Sequence, residues 1–291
     1  MKRARLNLVL LVLAVGLGLG IYFGQKKEEP GPPLTPLKPD AVTHIVIAHP
    51  DAPAIELEKR DAKWYLTAPV KAEVDEFEIN ALVGLADQDV KLKLEGGKLP
   101  ELGLEPPQYT IKLNDQTIAF GGQEPIEYRR YVKVGDTVAL VEDPPSAALD
   151  KDYADLVAKA LFPAGAEIER IELKNLTLAK GANGKWTLTP ADARAGADQM
   201  QRLADGWKQA RSMWNEAVKD PASVKGDAVK VTLKDGSTRE FVIAATEPQL
   251  KLLRPDLGVN LVLSKALADE LLKLPPPKEE PAAAHETAPS K

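Results

Sequence analysis

The chain contains no cysteine, which excludes a thiol nucleophile, a disulfide framework, a thiolate metal site and a lipid-modified N-terminal cysteine. Histidine is scarce too: His44, His49 and His285 are the only three in 291 residues. His44 and His49 sit five apart on a predicted strand and its exit, where side chains alternate between faces, so they form no ready metal pair. Asp51 beside His49 fits an ordinary turn, H-P-D-A-P. No serine stands in a G-x-S-x-G context, so a nucleophile elbow is missing. Gly96-Gly97 and Gly121-Gly122 lack a phosphate-loop lysine at the right spacing and read as turns. No catalytic residue, metal or cofactor is expected.

What is there is an acidic chain of ordinary globular composition, 44% hydrophobic and 28% charged. Setting aside Lys2, Arg3 and Arg5, a formal charge of about −8 remains on the rest. Such a body repels phosphate backbones, so nucleic acid is not an expected partner. Leu6 to Phe23 is apolar apart from Asn7 and Tyr22. As a helix it spans roughly 27 Å, enough for a hydrocarbon core. Gly20-Ile21-Tyr22-Phe23-Gly24 offers no small-x-small cleavage pattern, so the segment reads as an uncleaved anchor in the lipid bilayer. The cluster Lys2, Arg3, Arg5 marks the cytoplasmic flank, which puts the body on the periplasmic side of an inner membrane. Residues 24–41 carry Pro30, Pro32, Pro33, Pro36 and Pro39 and predict an extended, semi-rigid spacer. Residues 275–291 have no apolar periodicity and read as a disordered tail.

Between spacer and tail, one pattern occurs twice. Lys63 to Pro69 reads K-W-Y-L-T-A-P and Lys185 to Pro190 reads K-W-T-L-T-P. Self-similarity of this kind means one supersecondary unit used twice. In the first copy Thr43 to Ala48, Ile55 to Lys59 and Lys63 to Thr67 alternate as strands. In the second, Arg170 to Leu173, Leu176 to Lys180 and Lys185 to Thr189 match them. Trp64 and Trp186, each alternating with a leucine, are expected in the core. Asp75 with Glu78, and Asp198 with Gln201, have capping-box spacing and predict a helix in each copy, rather than a catalytic acid pair. Further hairpins follow at 109–120 and 131–141, matched at 228–243 and 250–263. Each copy closes with a helix, about 147–161 and 265–274. The predicted fold class is α+β: two tandem, structurally similar modules of antiparallel sheet with packed helices, 42–163 and 164–274, behind one N-terminal transmembrane helix at 6–23.

The run from Ile55 to Arg60, Lys63-Trp64-Tyr65-Leu66 with Pro69, Asp75, Leu102-Gly103-Leu104-Glu105-Pro106-Pro107 and Tyr131-Val132 together resemble a bacterial family known as domain of unknown function 4340. The resemblance covers roughly residues 42–274, and the second copy lacks the G-L-x-x-P-P element. It implies a membrane-tethered extracytoplasmic protein, often encoded beside gliding-type ABC transporter components, with no enzymatic activity attached.

Two patches are candidates for interaction. Tyr128, Arg129 and Arg130 place two guanidiniums beside an aromatic, suited to an acidic or sugar ligand. Met200, Leu203, Trp207, Ala210 and Trp214 are spaced as a helical seam that packs on its own sheet or receives another protein. The expected function is a non-enzymatic accessory or binding subunit of an inner-membrane complex, an ABC-type transport or motility system. The alternative is a module that binds envelope polysaccharide or peptidoglycan.

Overall fold

The computed structural model describes residues 30–143 and 151–277, together with Asn7, Leu11, 13–18 and Gly20 near the N-terminus. Among the described residues no helix is long and apolar enough to cross a membrane. Half of the expected anchor, 6–23, lies outside them, and its described positions are helical. Residues 144–150 and the tail from Lys278 also lie outside.

The first sheet is built from β1 (His44–Ala48), β2 (Ile55–Arg60), β3 (Lys63–Ala68), β4 (Ala72–Glu73), β5 (Val90–Leu94), β6 (Tyr109–Leu113), β7 (Gln116–Gln123), β8 (Arg130–Val134) and β9 (Thr137–Val141). Its strand order is β4-β3-β2-β1-β6-β7-β8-β9-β5. The second sheet contains β10 (Ile168–Glu172), β11 (Thr177–Lys180), β12 (Trp186–Thr189), β13 (Trp214–Ala217), β14 (Asp227–Leu233), β15 (Thr238–Ala245), β16 (Leu250–Arg254) and β17 (Val259–Leu263). Its order is β12-β11-β10-β14-β15-β16-β17-β13. Without the two-residue β4, the two orders are identical element for element. The duplication read from the sequence is therefore a duplication of topology.

The local reasons are the same in both halves. Alternation puts Ile45, Ile47, Ile111 and Leu113 on the buried face of one sheet, and Ile171, Val229, Val231 and Phe241 on that of the other. Tight turns close the hairpins; Asp61, Ala62 and Asn114 take the left-handed conformation these turns require. Helix α1 (Glu76–Val83) covers the first sheet with Ile79 and Leu82, and α3 (Ala197–Gln209) covers the second with Leu203, Ala204 and Trp207. Burying these stripes is what stabilises helices of this length.

Several expectations are corrected. The proline segment is not a free spacer from residue 30 onward. Leu34 N–H donates to the Gln88 carbonyl at 2.7 Å and Val90 N–H donates to that of Pro32 at 2.9 Å. Thr35 is buried, with its hydroxyl on the Ala86 carbonyl at 2.6 Å. Chain that finds backbone partners beside β5 has no reason to stay solvated. The seam through Trp214 is broken: α3 stops at Gln209, Ala210 is extended, and Trp214 opens strand β13. Of the closing helix expected over 147–161, residues 147–150 lie outside the described residues; among the described ones it is the single turn α2 (Tyr153–Leu156), whereas α4 (Lys265–Leu271) closes the second copy.

The capping also differs from the capping-box reading. Asp75 accepts the Phe77 N–H, but Glu78 does not turn back to it. In α3 the N-cap is Gly196, whose N–H donates to Gln199 Oε1 at 2.9 Å; Asp198 lies inside the helix.

The chain between α2 and β10 fastens the halves. Asp75 N–H donates to the Leu156 carbonyl and Ala158 N–H to that of Glu73, both at 2.9 Å. Three residues further on, Ser212 N–H donates to the Lys159 carbonyl at 2.8 Å and Leu161 N–H to that of Ala210 at 3.2 Å. One extended segment thus pairs with the first module and then with the second. Tyr153 Oη reaches the Gly258 carbonyl at 2.9 Å. Buried side chains of both sheets and of this segment form one continuous core.

Candidate functional site

Two clefts are lined in part by that shared segment. One, of about 510 Å³, lies against α1 and is walled by Trp64, Phe77, Lys159, Phe162 and Arg211. Phe77 stands out from the helix 76% exposed. Behind this wall Glu78 is buried, and Lys151 Nζ at 2.5 Å and Lys159 Nζ at 3.5 Å neutralise it. A carboxylate taken from water needs such partners. The charges on the wall are mixed, with Glu73, Asp75 and Glu76 beside Lys63, Lys159 and Arg211.

The other cleft, of about 400 Å³, opens between β3–β4 of the first module and the second sheet. Its walls carry four cations, Arg60, Lys71, Arg239 and Arg254, against one carboxylate, Glu73. β15 begins next to Arg239 and β16 ends at Arg254, so the antiparallel pairing brings both guanidiniums to one end of the sheet. Arg254 donates to both oxygens of Asp256, at 2.9 and 2.7 Å, and lies 5.8 Å from the Phe241 ring centroid. Arg239 donates to the Leu161 carbonyl at 2.7 Å and lies 5.8 Å from the Phe162 centroid. Its nearest carboxylate, Glu73, is 3.9 Å away, beyond hydrogen-bond reach. Burial lowers the Arg239 guanidinium below its ordinary value, and the neighbouring Arg254 charge lowers it further. Burial alone would raise the Asp256 carboxyl, but the hydrogen bonds and charge of Arg254 hold it below its usual range.

The residues singled out from sequence do not gather there. Arg130 is fastened inside the first module, donating to Asp143 at 2.7 Å, Gln108 at 3.1 Å and the Gly121 carbonyl at 3.0 Å. Arg129 pairs with Glu127 at 2.6 Å and Glu142 at 3.7 Å. Tyr128 is 65% exposed on the loop between β7 and β8. Trp207 is fully buried and donates its indole N–H to the Leu271 carbonyl at 2.8 Å, so it belongs to the core. Trp214 is 40% exposed on β13, with its indole N–H on Glu216 at 3.1 Å. Trp64 and Trp186 are half-buried against the core rather than enclosed by it. Among the described residues no group of three or more His, Asp or Glu is placed to hold a metal ion.

The motif Leu102-Gly103-Leu104 has a structural role. Gly103 is left-handed, and Leu102 turns its carbonyl to accept the Gly122 N–H at 2.8 Å. A side chain on Gly121 would collide with that carbonyl.

The architecture is a tandem pair of antiparallel α+β modules with a cleft at the joint. The family described as "Domain of unknown function (DUF4340)" matches residues 64–251, and the chain belongs to it. The match begins on β3 and ends on β16, so what the family shares spans the joint rather than a single copy. No curated protein and no solved structure matches the chain.

Proposed function

We propose that this protein is a membrane-tethered, extracytoplasmic binding subunit that holds another molecule rather than transforming it, working within an ABC-type transport or motility complex of the inner membrane. The observation that carries this reading is the joint. Two topologically equal sheets are fixed to each other by a segment that pairs with both, and the clefts lie along that segment. A scaffold that fixes the relative position of two similar surfaces suits recognition, because preorganisation cuts the entropic cost of binding. The apolar run from Leu6 to Phe23 supplies the tether. The transport assignment rests on the resemblance described above. Affinity purification of the full chain from gently solubilised membranes should recover transporter subunits. Recovery of the chain alone, after in situ crosslinking as well, would remove the accessory role.

Binding of envelope polysaccharide is the second reading. Its support is the exposure of Tyr128 and Trp214. These lie in different modules, and Arg129 and Arg130 are engaged by carboxylates.

A further inference from the structure

We propose that the cleft between the modules binds an oxyanion, a phosphate or carboxylate on a small organic body, with Arg239 and Arg254 at its floor and Arg60 and Lys71 at its rim. Four observations carry this. The side chains of Arg254 and Arg239 are only 12% and 21% exposed, whereas that of Arg60 is 62% exposed and Lys71 lies at the surface. The pairing of β15 with β16 brings the two inner guanidiniums to one end of the sheet and onto one cleft wall, and the Arg254 charge lowers Arg239. Two like charges near each other in a low-dielectric recess are costly unless anions neutralise them. The carboxylates do not neutralise them fully: counting Asp256 and Glu58, which hold Arg254 and Arg60, four cations face three anions. Arg239 makes no hydrogen bond to a carboxylate at all.

This excess of positive charge sits in a protein of net charge −5, so it is a local feature and not a property of the whole surface. A guanidinium has five N–H donors in a planar fork, and Arg239 uses one group of them on the Leu161 carbonyl. The remaining donors suit the paired oxygens of a phosphate or carboxylate. Leu66, Val157 and Leu261, almost wholly buried, back the same walls with apolar atoms. About 400 Å³ accommodates a sugar- or glycerol-sized body.

The inference rests on reading the chain as a binding subunit, but its test needs no partner protein. The full chain in detergent micelles is titrated calorimetrically with glycerol 3-phosphate, with glucuronate and with uncharged glycerol, at low and high ionic strength. Saturable binding of at least one charged probe, weakened by salt and not shown by glycerol, is expected. Which probe binds tells phosphate from carboxylate. Arg239→Gln should weaken binding about tenfold or more, the value of a charge-assisted hydrogen bond. The rim variants Arg60→Gln and Lys71→Gln should weaken it about two- to fivefold. Both rim residues are exposed, so these variants still decide the matter if Arg239→Gln fails to fold. Binding of neither charged probe, equal binding of glycerol, or full affinity in the folded variants would overturn the inference. Failure here with transporter subunits recovered leaves the accessory role standing, and binding here without them leaves the cleft standing.

Discussion

The joint between the modules rests on one side chain to an unusual degree, and Asn215→Ala tests it. Asn215 is 4% exposed at the start of β13. Its amide donates to the Ala154 carbonyl at 3.1 Å and the Val157 carbonyl at 2.8 Å, and its oxygen accepts from Ser212 Oγ at 2.6 Å. Alanine removes all three bonds. The Ala154 carbonyl keeps the Val157 N–H at 3.1 Å, and Ser212 Oγ keeps a long contact to the Lys159 carbonyl at 3.4 Å. The Val157 carbonyl is left bare. Three bonds at about 1 kcal/mol each, plus about 1–3 kcal/mol for one buried acceptor left unsatisfied, put the loss at about 4–6 kcal/mol. Urea unfolding of the solubilised full chain, followed by tryptophan fluorescence, reads this directly. With a slope of about 2–3 kcal/mol per M, the midpoint should fall by roughly 1 M or more. Trp64 reports on the first module and Trp186, Trp207 and Trp214 on the second, so a Trp64→Phe background shows whether one module loosens before the other. Asn215→Asp should be worse than alanine at neutral pH, because it sets a carboxylate against two carbonyl oxygens. A loss under 1 kcal/mol for alanine, with aspartate no worse, would refute the idea that this network holds the modules together.

Further outcomes follow from other sites. Gly121→Ala should cost about 1–3 kcal/mol in thermal or urea unfolding, since its Cβ would overlap the Leu102 carbonyl and come within 2.9 Å of Leu104 Cγ; an unchanged midpoint would show that the loop yields freely. Glu216 is held below the usual carboxylate range, first by the hydrogen bond from Lys251 and also by that from the Trp214 indole. Its stabilising contribution is complete above the ordinary glutamate value and is lost as pH falls through its lowered folded-state value, so Glu216→Gln should flatten the acid limb of the stability profile. Acrylamide should reach Trp214 and not Trp207: Trp214→Phe lowers the quenchable fraction of fluorescence, and Trp207→Phe leaves the quenchable signal in place.

Much of each sheet was legible because its signals are local. The hairpins, the Asp75 cap and the order of elements in both copies follow from alternation and turn chemistry. β5 and β13 were missed for different reasons. Val90 to Leu94 does alternate, but it is only five residues long and pairs with β9, some fifty residues on. Trp214 to Ala217 continues an apolar spacing that suits a helix, but Ala210–Ser212 hydrogen-bond to the connecting segment and Trp214 to Ala217 pair with β17. Non-local pairing outweighed propensity there. Glu78 was read as half of a capping box for a similar reason: its partners Lys151 and Lys159 lie more than seventy residues along the chain. The cleft left no trace in the sequence. Arg60, Lys71, Arg239 and Arg254 belong to different copies, and no spacing relates residues that meet only when two modules dock.

The docked proline segment turns the first sheet into a ruler. The described chain comes in beside β5, at one edge of that sheet, and the arginine cleft opens at the other edge, against β3 and β4. At about 4.8 Å per strand, the sheet separates the two by roughly 35–40 Å. From Phe23 to Pro30 the chain can stretch only about 25 Å. With Leu6 to Phe23 in a bilayer, as proposed, the edge of the sheet beside β5 stays within that reach of the headgroups, and the cleft lies a sheet width from that edge. On that reading the distance from anchor to cleft is bounded by a folded sheet and a short linker, not by a long flexible arm.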